Sequence, residues 1–238
     1  MIENMLKVSL RRTKERYCFL SRVGENLFEP KDGTAAPRNP MKLRPNALLF
    51  DMDGVLIDSL DSWWHALNDA LTMFRHPKIT REEFVRIYWG HDLRWNLERL
   101  HLNPEVASFC NLTYGGHLND VRIYPETQPT LKRLSSYNKA VITNTPTDCT
   151  RQILAKFDIS EFFLTIVTSD DVTKAKPDPE IVFKACEQMH VDPSTVVLVG
   201  DTESDVKAGH AAGCTVIGIK VDADVTVQKL SDILPILV

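Results

Sequence analysis

Two aspartates that directly follow an apolar run are the residues of this chain best suited to chemistry. The run Ala47–Phe50 is followed by Asp51 and, two residues later, by Asp53 and Gly54. Its length indicates a short buried strand, so both carboxylates lie where the C-terminal end opens into a loop. Ligands bind at that edge of an open α/β sheet. Two like charges at this spacing repel each other, and a hard divalent cation such as Mg²⁺ is their natural partner.

Three later segments carry further polar side chains after an apolar run or between prolines. They are Val141-Ile142-Thr143-Asn144, Ala175-Lys176-Pro177-Asp178-Pro179, and Val196–Gly200 followed by Asp201 and Asp205. Taken alone, the first three of the four segments have ordinary interpretations: Asp-x-Asp pairs serve turns, Thr-Asn-Thr-Pro starts helices, and most lysines lie on the surface. The position of Lys176 before a proline favours it over Lys174 for a fixed role.

Together and in this order, the four segments resemble the motifs of the haloacid dehalogenase-like hydrolase superfamily. The resemblance runs from residue 47 to residue 213. It implies that Asp51 is a nucleophile that forms an aspartyl-phosphate, and that Asp53 is the general acid and base. It also implies that Thr143 and Asn144 bind the transferring phosphoryl group, and that Lys176 neutralises charge between the nucleophile and the phosphoryl oxygens.

The resemblance implies a Mg²⁺ site at the same place. Its ligands would be Asp51, Asp201 and the backbone carbonyl of Asp53, with Asp205 reaching the ion directly or through a bound water. Asp201 and Asp205 are four residues apart, which is one helical turn. Gly54, which follows the second aspartate, is expected to bind substrate.

From Pro125 onward, apolar runs of strand length alternate with amphipathic helices. This alternation is typical of a parallel sheet that is covered on both faces. The predicted strands are 139–143, 163–167, 195–200 and 215–219, and the predicted helices are 127–137, 147–157, 179–189, 204–212 and 225–233. The predicted fold class is therefore α/β, and the resemblance implies a Rossmann-like core with a helical cap inserted between the first and second motifs.

Residues 60–122 interrupt this pattern and are predicted to form the helical cap. Apolar residues recur there at helical spacing, without a strong strand signal. The four tryptophans of the chain all fall within it: Trp63, Trp64, Trp89 and Trp95. They either roof a substrate cavity or fill the core of a small helical bundle, and the second use of tryptophan is the commoner one.

One stretch of the cap, Tyr88–Arg94, is expected to meet the leaving group of the substrate. Trp89, His91 and Arg94 are its candidate substrate-binding residues. The resemblance also extends to sugar-phosphate mutases of the β-phosphoglucomutase type, which carry a lysine before the cap glycine. Here Trp89 replaces that lysine and Arg94 is one residue out of register, which disfavours a mutase. Asp53 disfavours a dehalogenase of the founding type, since those enzymes lack it.

Within the superfamily, Gly200-Asp201-Thr202 and Asp205–Gly209 look most like phosphoglycolate phosphatases and their relatives. The expected function is therefore Mg²⁺-dependent hydrolysis of a small phosphorylated metabolite through an aspartyl-phosphate. A sugar-phosphate mutase and a non-catalytic binding module on the same fold remain alternatives. Such modules usually lose one of the ionic residues, whereas this chain has all of them.

The composition excludes several classes of protein. The chain has 238 residues, of which 43% are hydrophobic and 25% charged, and its net charge of −4 shows no nucleic-acid footprint. An apolar run of about 18 residues is lacking, so no membrane span is expected. Five cysteines without a Cys-x-x-Cys pair fit a reducing cytosol. We expect a cytoplasmic monomer or homodimer without nucleic-acid or membrane partners.

The expected domains are an N-terminal extension, a core and a cap. Residues 41–59 and 123–238 would form the core, around the cap at 60–122. Residues 1–40 are basic at first and then contain a Gly- and Pro-rich stretch, and they carry no apolar segment of a secretory signal. We expect a poorly packed extension, or a segment upstream of a start at Met41. A basic arm for an anionic surface is the alternative.

Overall fold

The computed structural model describes residues 42–238, and short strands alternate with helices along most of this range. The strands are β1 (Ala47–Phe50), β2 (Ile57–Asp58), β3 (Arg122–Ile123), β4 (Asn138–Thr143), β5 (Thr165–Thr168), β6 (Val196–Gly200), β7 (Thr215–Ile219) and β8 (Val225–Val227). The helices are α1 (Leu60–Met73), α2 (Arg81–Glu83), α3 (Leu93–Arg99), α4 (Glu105–Gly116), α5 (Thr127–Arg133), α6 (Thr147–Lys156), α7 (Glu180–Met189) and α8 (Glu203–Ala212). A π-helical turn, Phe84–Tyr88, continues α2.

Six of the strands form one parallel sheet in the order β5-β4-β1-β6-β7-β8. Strand β1 lies between β4 and β6, where Leu49 pairs with Ala140 on one side and with Leu198 on the other. Because neighbouring parallel strands end at the same edge, the residues that follow β1, β4 and β6 come side by side.

Both faces of the sheet are buried. Leu48 and Phe50 of β1 belong to one apolar cluster, while Ala47 and Leu49 belong to a second cluster on the opposite face. This division follows from the two-residue period of side chains along a strand. The predicted fold class, an α/β parallel sheet with inserted helices, is therefore confirmed.

The helices between β2 and β3 pack mainly on one another. Helix α1 lies against α4, and the ring of Trp63 stacks on that of Tyr114 with centroids 3.9 Å apart. The buried side chain of Asn68 fixes the loop after α1, since it accepts from Ile79 N at 2.9 Å and donates to Ile79 O at 3.1 Å. A two-residue antiparallel ribbon of β2 and β3 joins this insertion to the core. Strands this short leave no periodic signal in the sequence.

The last predicted helix, 225–233, is wrong. Val225–Val227 forms the edge strand β8, which pairs with β7, and only Leu230–Ile233 turns helically, as a 3₁₀ segment. Three β-branched residues in a row suit a pleated edge better than a helix, and the exposed edge of β7 offers them backbone partners.

The predicted extension, residues 1–40, lies outside the described residues, as does Met41. Within residues 42–238, no helix is both long enough and apolar enough to cross a membrane.

Candidate active site

Three carboxylates converge at the C-terminal edge of the sheet. Asp51 follows β1 and Asp201 follows β6, while Asp205 lies in the first turn of α8. One oxygen of each lies within 4.8 Å of the others. The start of α8 is fixed by a capping box, in which Asp205 Oδ2 accepts from Thr202 N at 3.0 Å and from Thr202 Oγ1 at 2.6 Å.

Lys176 lies between two of these carboxylates and is itself buried. Its Nζ is 2.8 Å from Asp51 Oδ1 and 2.7 Å from Asp205 Oδ1, and it donates to Ile142 O at 3.2 Å. The backbone of Lys176 is held by Asn144, whose Oδ1 accepts from Lys176 N and whose Nδ2 donates to Lys176 O, both at 2.9 Å. The same amide donates to Gly90 O of the insertion at 3.1 Å.

Burial shifts the protonation of this cluster. It is the largest cause that raises the pKa of Asp51, and it raises the pKa of Asp201 to about 8. The neighbouring Asp205 adds to both shifts, whereas Lys176 opposes them. Burial also lowers the pKa of Lys176, but the carboxylates of Asp205 and Asp51 outweigh it and raise that pKa overall. The lysine is therefore a permanent cation among more carboxylates than it can neutralise.

The remaining negative charge fits a divalent cation. The buried Oδ1 of Asp201 has no hydrogen-bond partner, although it lies among carboxylates that also offer oxygen. Hard oxygen donors at this density are the ligands that Mg²⁺ prefers. Asp51, Asp201 and Asp205 thus suit the predicted metal site.

The carboxylate of Asp53 lies apart from that cluster and is held by three hydroxyl groups. Its Oδ1 accepts a short hydrogen bond from Ser59. Its Oδ2 accepts from Thr145 Oγ1 at 2.7 Å and from Thr143 Oγ1 at 3.2 Å. Ser59 and Thr145 were not among the site residues predicted from the sequence. The fixed two-residue spacing of Thr143 and Thr145 at the end of a strand was the available signal, since it places both side chains on one face.

Two glycines let other residues approach the site closely. Gly54 has φ +82°, and a Cβ there would lie 2.0 Å from Asp201 Oδ2. Gly90 also has φ +82°, and its Cβ would lie 2.9 Å from Thr202 Cγ2. A side chain would be strained at both positions. Gly54 therefore packs against the acidic cluster, and Gly90 is where the insertion meets the core.

A cavity separates the insertion from the core. Asp51, Asp53, Thr143, Asn144 and Lys176 line its core side. Its opposite wall contains Trp63 and Trp89. Of the two roles that the sequence allowed for the tryptophans, these two residues therefore have the first, which is to roof the cavity. The other two serve packing, because Trp64 Nε1 donates to Ile79 O at 3.0 Å and Trp95 stacks on His91 at 3.7 Å.

The three predicted substrate-binding residues of the cap separate in the structure. Trp89 and His91 line the cavity. Arg94 is not part of the cavity wall. Its guanidinium instead donates to Ser169 O at 2.9 Å and lies 3.5 Å from Val172 O, so it joins α3 to the core. The helix phase of this stretch could not be read from its sequence.

Comparisons with known proteins show which proteins this chain resembles. Residues 48–219 match the family model of haloacid dehalogenase-like hydrolases. A phosphoglycolate phosphatase of Haemophilus influenzae is 33% identical over 187 residues, 71% of this chain and 83% of that protein. The pyrophosphatase PpaX of Bacillus cereus is 27% identical over 215 residues, 82% of this chain and 97% of that one.

Solved structures show the same fold. A candidate phosphoglycolate phosphatase from Lactobacillus plantarum superposes with a TM-score of 0.75 at 19% identity, covering 82% of this chain and all of that one. The family match spans most of the chain, including every strand of the sheet except β8. The chain therefore belongs to the haloacid dehalogenase-like hydrolase family of enzymes.

Proposed function

We propose that this enzyme is a Mg²⁺-dependent phosphatase of a small phosphorylated metabolite. The observation that carries the proposal is the buried Asp51, which lines the cavity with its Oδ1 2.8 Å from Lys176 Nζ. The names of the phosphoglycolate phosphatase and pyrophosphatase relatives support hydrolysis of a phosphate ester or anhydride. We place the activity in the cytoplasm, in a monomer or homodimer that needs neither nucleic acid nor membrane.

The proposed reaction has two steps at the core side of the cavity. An oxygen of Asp51 attacks phosphorus, the bond to the leaving oxygen breaks, and Asp53 gives that oxygen its proton. Asp53 then removes a proton from water, which attacks the aspartyl-phosphate and releases inorganic phosphate. The three hydroxyls on Asp53 support this role, because they fix its carboxylate towards the cavity.

Charge neutralisation is the second requirement, since the phosphoryl group enters a site that is already acidic. Lys176 supplies one positive charge, and Thr143 and Asn144 supply a hydroxyl and an amide. Asp51 and Asp201, with the backbone carbonyl of Asp53, would hold Mg²⁺. When bound, the ion neutralises the phosphoryl oxygens. Asp205 is engaged by Lys176 and Thr202, which favours its indirect role.

We also propose the domain division of the sequence analysis, with a core of 41–59 and 123–238 and a cap of 60–122. The mutase alternative finds no support in the cap, because Arg94 is occupied by backbone carbonyls of the core. The binding-module alternative is disfavoured because the chain keeps the ionic residues of the motifs, which are Asp51, Asp53, Lys176, Asp201 and Asp205.

Phosphate release from small phosphomonoesters, with Mg²⁺ and with a chelator, tests the proposal. Asp51→Asn should lower kcat by about 10⁴-fold, the order of loss for an essential catalytic group, because an amide cannot attack phosphorus. Glu203→Gln is the matched control, since Glu203 is exposed and its side chain, among residues 42–238, pairs only with Lys207. Activity of Asp51→Asn within tenfold of the unaltered enzyme, or equal activity in chelator, would refute the proposal.

A further inference from the structure

The cation content of the cavity wall limits which substrates the enzyme can accept. Among the described residues that line the cavity, Lys176 is the only Lys or Arg. Its ammonium group has three N–H donors, and its three neighbours are Asp51, Asp205 and Ile142 O. Any positive charge that it shares with a ligand is directed at the phosphoryl end, next to the nucleophile.

Three other cations near the cavity, Arg94, Arg99 and Lys207, contact groups outside its wall. The guanidinium of Arg94 binds core carbonyls, and that of Arg99 lies 5.5 Å from the centre of the Trp95 ring. Lys207 pairs with Glu203 at 2.8 Å. None of these three side chains lines the cavity.

The wall opposite the nucleophile is mainly apolar. Its members are aromatic or aliphatic side chains: Trp63, Leu67, Phe84, Tyr88, Trp89 and Leu93. A ligand that buries apolar surface against these rings and methyl groups gains binding free energy.

The polar groups on this wall are neutral. Asn96 Oδ1 and His91 Nδ1 are buried without a hydrogen-bond partner, and both residues line the cavity. Burial lowers the pKa of His91, so its ring is uncharged at neutral pH. These atoms can pair with a hydroxyl or an amide of a ligand, but neither brings a charge to offset an anion.

We infer that the leaving group of the natural substrate is an uncharged, mainly apolar alcohol, and that it carries no second anionic group. This inference rests on the proposed phosphatase activity and names its substrate class. A carboxylate or second phosphate on the leaving group would be buried against rings and methyl groups without a cation, which is costly. The enzyme therefore differs in substrate from relatives named for phosphoglycolate or pyrophosphate.

Three phosphate esters of primary alcohols test the inference: benzyl phosphate, ethyl phosphate and phosphoglycolate. Their leaving alkoxides are similar in reactivity, so kcat/KM mainly reports contacts of the leaving group. We expect benzyl phosphate to exceed each of the others by roughly tenfold to hundredfold, as the buried area of one ring predicts.

A single added cation should reverse this preference. Leu93 is only partly buried and begins α3, so Leu93→Arg can extend its guanidinium into the cavity. The ratio of kcat/KM for phosphoglycolate to that for benzyl phosphate should rise by about tenfold or more, the order of a charged hydrogen bond. Val85→Arg is the control, because Val85 is 43% exposed and does not line the cavity.

The outcomes separate the two proposals. If phosphoglycolate is hydrolysed as well as benzyl phosphate by the unaltered enzyme, the inference about the leaving group is overturned and the phosphatase proposal stands. An unchanged ratio in a folded Leu93→Arg protein also overturns it. If the enzyme in the presence of Mg²⁺ releases no phosphate from any of the three esters, the proposed function itself fails.

Discussion

Asp53 accepts more hydrogen bonds from hydroxyl groups than an aspartate in a turn requires. One donor to an aspartate suffices for a tight turn, whereas Asp53 receives bonds from Ser59, Thr143 and Thr145, which come from the two sides of the site. Thr145 is buried, and its hydroxyl has no other acceptor among the described contacts. We interpret Thr145 as a positioning residue for the general acid and base.

Thr145→Val tests this interpretation at the scale of one residue. Valine matches threonine in shape but removes the 2.7 Å bond to Asp53 Oδ2, so the carboxylate loses a fixed orientation towards the leaving oxygen. We expect kcat to fall by about tenfold with little change in KM, because the bond matters only in the transition state. Thr145→Ser keeps the hydroxyl and should restore most of the rate. A parallel loss of thermal stability in both variants would contradict the positioning role.

At the scale of elements, Arg94 connects the insertion to the core by hydrogen bonds to backbone carbonyls. It extends from α3 to carbonyls at and beyond the end of β5. Asn144 makes a second connection through Gly90 O, and the β2–β3 ribbon is the covalent path between the two bodies. We propose that the insertion is a cap that closes on the core by hydrogen bonds that solvent can replace.

Arg94→Ala should weaken closure without altering the cavity wall. The carbonyls of Ser169 and Val172 would then bond to water, and the open cap would become more populated. We expect KM to rise about threefold to tenfold for all esters alike, since each substrate must then contribute to closing the cap. Steady-state kinetics on benzyl, ethyl and glycerol phosphates measures this. A change in the ranking of the substrates would instead show that Arg94 contacts the leaving group.

The sequence predicted most of the sheet and the acidic site because both depend on local signals. Apolar runs such as Ala47–Phe50 mark buried strands, and residues just after them must meet at one edge. The direction of Arg94 depends on the phase of a short helix that follows a π-helical turn, which no period reveals. Strand β8 depends on a free edge of β7, which exists only after the sheet has formed.

At the scale of the whole molecule, the fold holds several carboxylates close together in the active site, where their mutual repulsion is unfavourable. Asp51, Asp201 and Asp205 cluster around one buried lysine, and burial keeps water from screening them. Burial and the neighbouring Asp205 raise the pKa of Asp201 to about 8, so in the metal-free protein a proton can take the place of the missing positive charge. Metal ions and protons therefore compete for the same carboxylates.

This competition predicts how stability depends on pH. The pKa of Asp201 is about 8 in the folded chain, whereas the ordinary pKa of an aspartate is 3.8, so the folded form binds the extra proton. Its stabilisation is complete in acid and is lost as the pH rises through about 8, and the raised pKa of Asp51 acts in the same direction. In chelator, the free energy of unfolding should fall by roughly 2 kcal/mol between pH 6 and pH 8. Thermal or urea unfolding at the two pH values measures this.

The metal should reverse that trend, because it binds the deprotonated carboxylates and the folded state only. The rise in Tm on adding Mg²⁺ should be larger at pH 8 than at pH 6. Asp201→Asn provides the control: without this titrating group, the loss of stability in chelator should become smaller, and so should the response to Mg²⁺. If the unaltered protein in chelator is as stable at pH 8 as at pH 6, these carboxylates do not share protons as described. An equal Mg²⁺ response at both pH values would place the metal elsewhere.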